Sequence, residues 1–352
     1  MSLPYLHPYL GLSNGLNTLH AVGGGGAGGI GGWVELARTT AGGGGSDVVV
    51  SSLSDKRYYM VLSSWTMSTN AQSRWRFNND TGTNYAGRVS SNGGADSTVT
   101  SQVAIPYNNP GFDLTPHWNV GYIANRSANE KLWINHQMNQ NTAGATNAPG
   151  RQEQACKWSN TSNAINEIRL NSSAGTYNSG SELVVLGWDP ADSHTNNFWE
   201  ELASVSGTNV ASLDTGTITA KKYLWIQIVA QNVNPGENYG LQFNGDSGSN
   251  YSFRLSPNGT AEVTLTSYEK CLLNYSFSDV PTFTNIFVIN TSANEKLVIA
   301  HGVSQNTTGA TNVPQRLEWA SKWANTSAQI TDIQTAQSAG NITGEMKVWG
   351  AD

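Results

Sequence analysis

The chain has 352 residues, of which 12% are charged, and its formal net charge is −6. Recognition of phosphate draws on clustered Lys and Arg, so this composition argues against a nucleic-acid binder. No apolar run reaches the roughly 18 residues that a membrane helix needs, and the N-terminus lacks the basic start and apolar core of a signal peptide, so we expect a chain made in a cytoplasm with no membrane partner.

Residues 1–32, "MSLPYLHPYLGLSNGLNTLHAVGGGGAGGIGG", read as an extended arm on a Gly-rich tether. Pro4 and Pro8 favour an extended path that leaves backbone groups free to pair, and Tyr5, Leu6, Tyr9 and Leu10 are the expected partner-binding anchors. A solvated tail is usually depleted in such residues, which disfavours the alternative of a disordered leader.

The remainder is a duplication. "SANEKLWI" from Ser127 returns as "SANEKLVI" from Ser292, an offset of 165. "FNNDTGTNYAGRVSSNG" from Phe77 answers to "FNGDSGSNYSFRLSPNG" from Phe243, and "QNTAGATNAP" from Gln140 to "QNTTGATNVP" from Gln305. We place the first unit at 33–189, a linker at 190–198 and the second unit at 199–352, each long enough to bury its own core.

Within the first unit, "DVVVSSL", "RYYMVLSSWTM", "HWNVGYIA", "EKLWINHQM" and "SELVVLGW" are short runs rich in Val, Ile, Tyr and Trp, separated by Gly, Asn, Asp and Ser clusters. "KKYLWIQIVA", "FTNIFVIN", "EKLVIAHGV" and "EMKVWGAD" are their counterparts in the second. About eight or nine strands per unit and no helical period predict an all-β chain of two tandem jelly-roll-like sandwiches, with an Ig-like topology as the alternative.

Several features bear on chemistry. Asp80 to Asn84 and Asp246 to Asn250 have the Asp-X-Gly-X-Asn spacing of part of a calcium loop, but one carboxylate each is too few. A tight turn accounts for them, with Asp as turn former and Gly supplying a positive φ, so Asp80→Asn and Asp246→Asn should cost little. His136 and His301 correspond, each in a strand with no recurring Ser or Cys nucleophile, and read as packed residues. Glu130 with Glu153, repeated as Glu295 with Glu318, has the composition of a glycosidase pair, yet Lys131, Arg151 and Lys157 and their repeats point to interstrand ion pairs.

The Asn- and Thr-rich 140–149 loop and its repeat suit either a sugar-binding surface or a rigid connection. The matched pairs Trp33/Trp199 and Trp158/Trp323 look like core positions. Cys156 and Cys271 fall at non-matching positions and are expected to be buried thiols. The Asn-X-Ser/Thr triplets at Asn125, Asn160, Asn290 and Asn325 are expected from composition alone. We expect no catalytic residue, cofactor or metal.

The repeated strings "FNxDxGxNY", "SANEKL" and "QNTxGATNxP" resemble those of virion structural proteins of tailed bacteriophages, over most of each unit. That resemblance implies a non-enzymatic β-rich particle component, a capsid decoration or cement protein on the outer shell, with the major capsid protein and copies of itself as partners. Three chains carrying two units each make a trimer with pseudo-sixfold symmetry. The alternatives are a tail or head-fibre module binding a host surface glycan and a double jelly-roll major capsid protein.

Overall fold

The structure, a computed structural model, describes residues 32–106, 114–192, 196–232, 234, 238–273, 280–306 and 308–352. The expected anchors Pro4, Tyr5, Leu6, Pro8, Tyr9 and Leu10 lie outside the described residues.

The first sandwich comprises β1 (Val34–Thr40), β2 (Asp47–Val50), β3 (Tyr58–Trp65), β4 (Ser73–Phe77), β5 (Tyr85–Ser91), β6 (Ser97–Gln102), β7 (Ile105–Pro106), β8 (His117–Ala124), β9 (Lys131–Asn139), β10 (Gly150–Trp158), β11 (Ile168–Ser172) and β12 (Glu182–Trp188). An eight-stranded sheet runs β1-β12-β3-β8-β9-β10-β5-β6, and a four-stranded sheet runs β2-β11-β4-β7. Every pairing is antiparallel. First pairs with last and second with penultimate, the nesting of a jelly roll.

The second sandwich repeats the scheme with β13 (Glu200–Val210), β14 (Tyr223–Asn232), β15 (Tyr239–Phe243), β16 (Tyr251–Pro257), β17 (Val263–Tyr268), β18 (Cys271–Leu272), β19 (Thr282–Ile289), β20 (Lys296–Ser304), β21 (Gln315–Trp323), β22 (Ile333–Gln337) and β23 (Ile342–Ala351). Its sheets run β13-β23-β14-β19-β20-β21-β16-β17 and β18-β15-β22. The large sheets therefore match strand for strand. Among the described residues the smaller one has no counterpart of β2, and a single bridge joins Asp214 to Gln334 there. "AQSRW" from Ala71 has no match in the second sequence, yet β15 takes the place of β4, because position in the sheet depends on the apolar alternation and not on identity.

Alternation explains how each sandwich fills. In β4, Ser73, Trp75 and Phe77 are buried and the residues between them half-buried, so one face is committed to the core. Trp75 meets Trp133 at 5.0 Å and 73°, and Trp158 stacks near Tyr85 at 17°. The second core repeats this with Phe243, Tyr251 and Trp323, the last two at 17°. Cys156 and Cys271 are buried free thiols.

The outer faces of the large sheets are apolar too, and they pack on each other. Met60, Leu62, Trp118, Val120, Met138 and Leu186 of the first unit form one buried cluster with Trp199, Tyr223, Phe287, Ile289, Leu297 and Ile299 of the second. At about 1.5 to 3 kcal/mol per fully buried large apolar side chain, this joint rivals a domain core. The result is four layers: small sheet, large sheet, large sheet, small sheet. Trp199 is buried in this middle cluster and the half-buried Trp33 packs against it, so neither lies in the core of a single sandwich.

Candidate functional site at the joint between the sandwiches

The joint is offset, and the offset gives duplicated residues different environments. On the outer face of β9, Leu132 and Ile134 are 57% and 59% exposed, while Leu297 and Ile299 at the same places on β20 are 1% and 4% exposed. Farther along the strands the bias reverses: Met138 is 1% exposed and Val303 is 43% exposed. The end of β9 lies over the start of β20, and the start of β9 projects beyond the second unit.

The 140–149 loop continues this overlap and grips the second sandwich. The Gly144 amide donates to Glu295, and Lys322 Nζ donates to the carbonyls of Gln140 at 3.1 Å and Thr142 at 2.5 Å. The Ser252 hydroxyl donates to the Asn147 carbonyl at 2.8 Å, and Arg254 Nε to the Pro149 carbonyl at 2.9 Å. The loop is thus a rigid strap, one of the two roles its composition allowed. In its repeat, Val313 is 77% exposed.

Where β9 and β20 cross, His136 and His301 meet with ring centroids 3.9 Å apart, at 66°. Each is paired across its own sheet with a glutamate, His136 with Glu153 and His301 with Glu318. The ligating atoms of His136, Glu153 and His301 all lie within 4.8 Å of one another. Reading each histidine as an isolated packed residue missed this, because only the fold brings positions 165 apart into contact.

Around them runs an ion-pair network that crosses the joint. Arg151 contacts Glu153 and reaches Glu262 at 2.9 Å and Glu318 at 3.4 Å, Arg254 binds Glu262 at 2.7 Å, and Arg316 binds Glu318 at 3.3 Å. Three guanidinium groups thus face three carboxylates. Gly93 sits at φ +64° with its missing Cβ 2.3 Å from Glu262 Cγ, so a side chain there would push the two units apart. A cleft of about 520 Å³, lined by Arg151, Glu153, Arg316 and Glu318 among others, opens beside the cluster.

The electrostatics follow from burial. Burial pushes the His136 imidazolium well below its ordinary pKa, helped by His301 and Arg151. His301 falls to about 4, again through burial, with Glu318 opposing and Arg151 and Arg316 assisting. Burial raises Glu153, against the pull of Arg151 and with the repulsion of Glu318. Neutral imidazoles beside carboxylates can accept a cation or share protons.

The carboxylate pairs suggested by spacing are ion-paired. Glu130 binds Lys157 at 2.8 Å and Glu295 binds Lys322 at 3.3 Å. The glutamates brought close by the fold are Glu153 and Glu318, from different units, through Arg151.

The Asp-X-Gly-X-Asn segments are turns formed by the aspartates as expected, but the glycines serve a different purpose. Gly82 and Gly248 do not take a positive φ; that falls on Asn78 and Asn79, and on Asn244 and Gly245. The two glycines are needed for space, since a Cβ would come within 2.7 Å and 2.9 Å of the Asn84 and Asn250 amides. Asp80 accepts from the Gly82 amide at 2.8 Å, Asn84 Nδ2 at 2.9 Å and the buried Trp158 indole N–H at 2.7 Å. Asp246 repeats this with Trp323 at 2.7 Å. Burial opposes ionisation of both aspartates, but these donors outweigh it and their pKa values are lowered. The expectation that Asp→Asn costs little is corrected: an amide cannot accept from all three donors, and losing a charged acceptor costs about 1.5 to 3 kcal/mol.

Asn125 and Asn290 are 2% and 0% exposed and bonded through their side chains, so neither triplet is open to glycosylation in the folded chain. None of the twelve tryptophans is exposed, which removes the simplest stacking platform for a sugar.

No protein-family model matches the chain, and no curated protein does. Among solved structures, the mouse laminin alpha1 chain, domains LG4-5, aligns over 90% of this chain and 88% of that chain, at 11% identity and a TM-score of 0.22. A likeness that slight carries no argument about function.

Proposed function

We propose that the chain is a non-enzymatic structural component of a virion, of the capsid decoration type, whose partners are the major capsid protein and other copies of itself. The supporting observation is the apolar face left on the projecting half of the first large sheet. Ile134 and Ala155 lie in register across β9 and β10, with Leu132 beside them. The same positions in the second unit are covered by the first, as with Ala320 at 1% exposure. A surface built to bury itself against a sheet is therefore presented open at one end, and exposed apolar patches on soluble proteins mark contact sites. The apolar head of residues 1–32, with Pro4, Tyr5, Leu6, Pro8, Tyr9 and Leu10, offers a second attachment.

The test is co-sedimentation of the full chain with shells assembled from its major capsid protein. The double substitution Leu132→Glu and Ile134→Glu should leave the melting temperature unchanged, because both side chains already face water, and should abolish or sharply reduce the bound fraction. Wild-type occupancy by the double variant would overturn the assignment of this face.

A further inference from the structure

We infer that His136, His301, Glu153 and Glu318 form a binding site for a divalent transition metal of the zinc type, created by the duplication at the crossing of β9 and β20. The inference is independent of the virion reading.

Ligand chemistry is the first support. Two imidazole nitrogens and carboxylate oxygens make a nitrogen and oxygen donor set that suits zinc and its neighbours, whereas calcium and magnesium take oxygen ligands alone. Neither imidazole makes a hydrogen bond to another described residue, so both rings keep a nitrogen lone pair for an ion.

Geometry is the second. Zinc holds nitrogen and oxygen at about 2.0 to 2.2 Å, which places tetrahedral ligand atoms about 3.3 Å apart. The three atoms found within 4.8 Å need to close by up to about 1.5 Å, a shift on the scale of side-chain rotation. Glu318 is the natural fourth ligand, since it stands to His301 as Glu153 stands to His136. One copy of the unit carries half of the set. Only the pair carries it all.

Support around the ligands is the third. Arg151 reaches both Glu153 and Glu318, so it orients the two carboxylates as outer partners of metal ligands commonly do. The cleft beside the cluster is lined by both glutamates and offers a route from solvent. The charges of Arg151, Arg254 and Arg316 balance those of Glu153, Glu262 and Glu318, so an ion enters a site of no net charge. That predicts binding weaker than in a structural zinc site with thiolates.

The test is titration of the metal-free full chain with cobalt(II) and zinc chloride, followed by visible absorption and calorimetry. One cobalt per chain should bind, with the visible bands of a four-coordinate nitrogen and oxygen site and no thiolate charge-transfer band. Zinc should displace it and raise the melting temperature. His136→Gln and His301→Gln should each weaken binding by at least about tenfold, the scale seen when even outer-shell partners of a metal are lost. Because the variants could lose the joint itself, the wild-type cobalt spectrum stands as the separate readout. Failure of the wild type to bind, a thiolate band implicating Cys156 or Cys271, or unchanged binding by folded variants would each overturn the inference.

Discussion

Lys322→Ala is expected to destabilise the chain by about 3 to 5 kcal/mol, whereas Lys157→Ala, at the duplicated position, should cost about 1 kcal/mol or less. The side chains of Lys322 and Glu295 are 0% and 3% exposed, and Lys322 also holds the strap through the carbonyls of Gln140 and Thr142. Burial lowers the Lys322 pKa, and Glu295 works against that. Removing the lysine leaves a carboxylate buried without its cation. Lys157 and Glu130 form the same pair at 45% and 38% exposure, where solvent screens the attraction. Urea unfolding of the two variants measures the difference. Equal losses would mean that the strap does not close over Glu295.

Trp118→Ala should cost a similar amount, about 3 to 5 kcal/mol, by opening a cavity in the middle of the joint. Trp118 is 1% exposed, stacks on Tyr223 at 5.6 Å and directs its indole N–H to the Phe287 carbonyl at 3.4 Å. Because it lies between the sandwiches, its loss should uncouple them. Calorimetry of the wild type should give one cooperative transition and that of the variant two. A single, barely shifted transition in the variant would show that the joint contributes little.

How much of this was legible can be judged strand by strand. "HWNVGYIA" became β8 with its expected bounds, and "EKLWINHQM" became β9 within one residue, because period-two runs of β-branched and aromatic residues admit few other readings. The two-residue strands β7 and β18 carry no such period and were not visible. The joint was hidden for a different reason: Leu132 and Leu297 sit in near-identical strings, so nothing local distinguishes the exposed one from the buried one.

A signal for the joint was nevertheless present. "YMVL" in β3 and "LVVL" in β12 are apolar at consecutive positions, with Tyr59 and Val61 in one core and Met60 and Leu62 in the middle cluster. An antiparallel strand of a lone sandwich shows water one face, so runs apolar on both faces imply a second cover. What no pattern carries is which face meets which, and the contact of His136 with His301 depends on that alone.

The central claim is that two equivalent sheets have been packed into non-equivalent positions, and hydroxyl-radical footprinting of the intact chain tests it most directly. Leu132 and Ile134 should be oxidised many times faster than Leu297 and Ile299, since chemically identical side chains in matching strands then differ only in cover. Equal rates at the two pairs would contradict the offset joint, and with it the open face proposed to bind a partner.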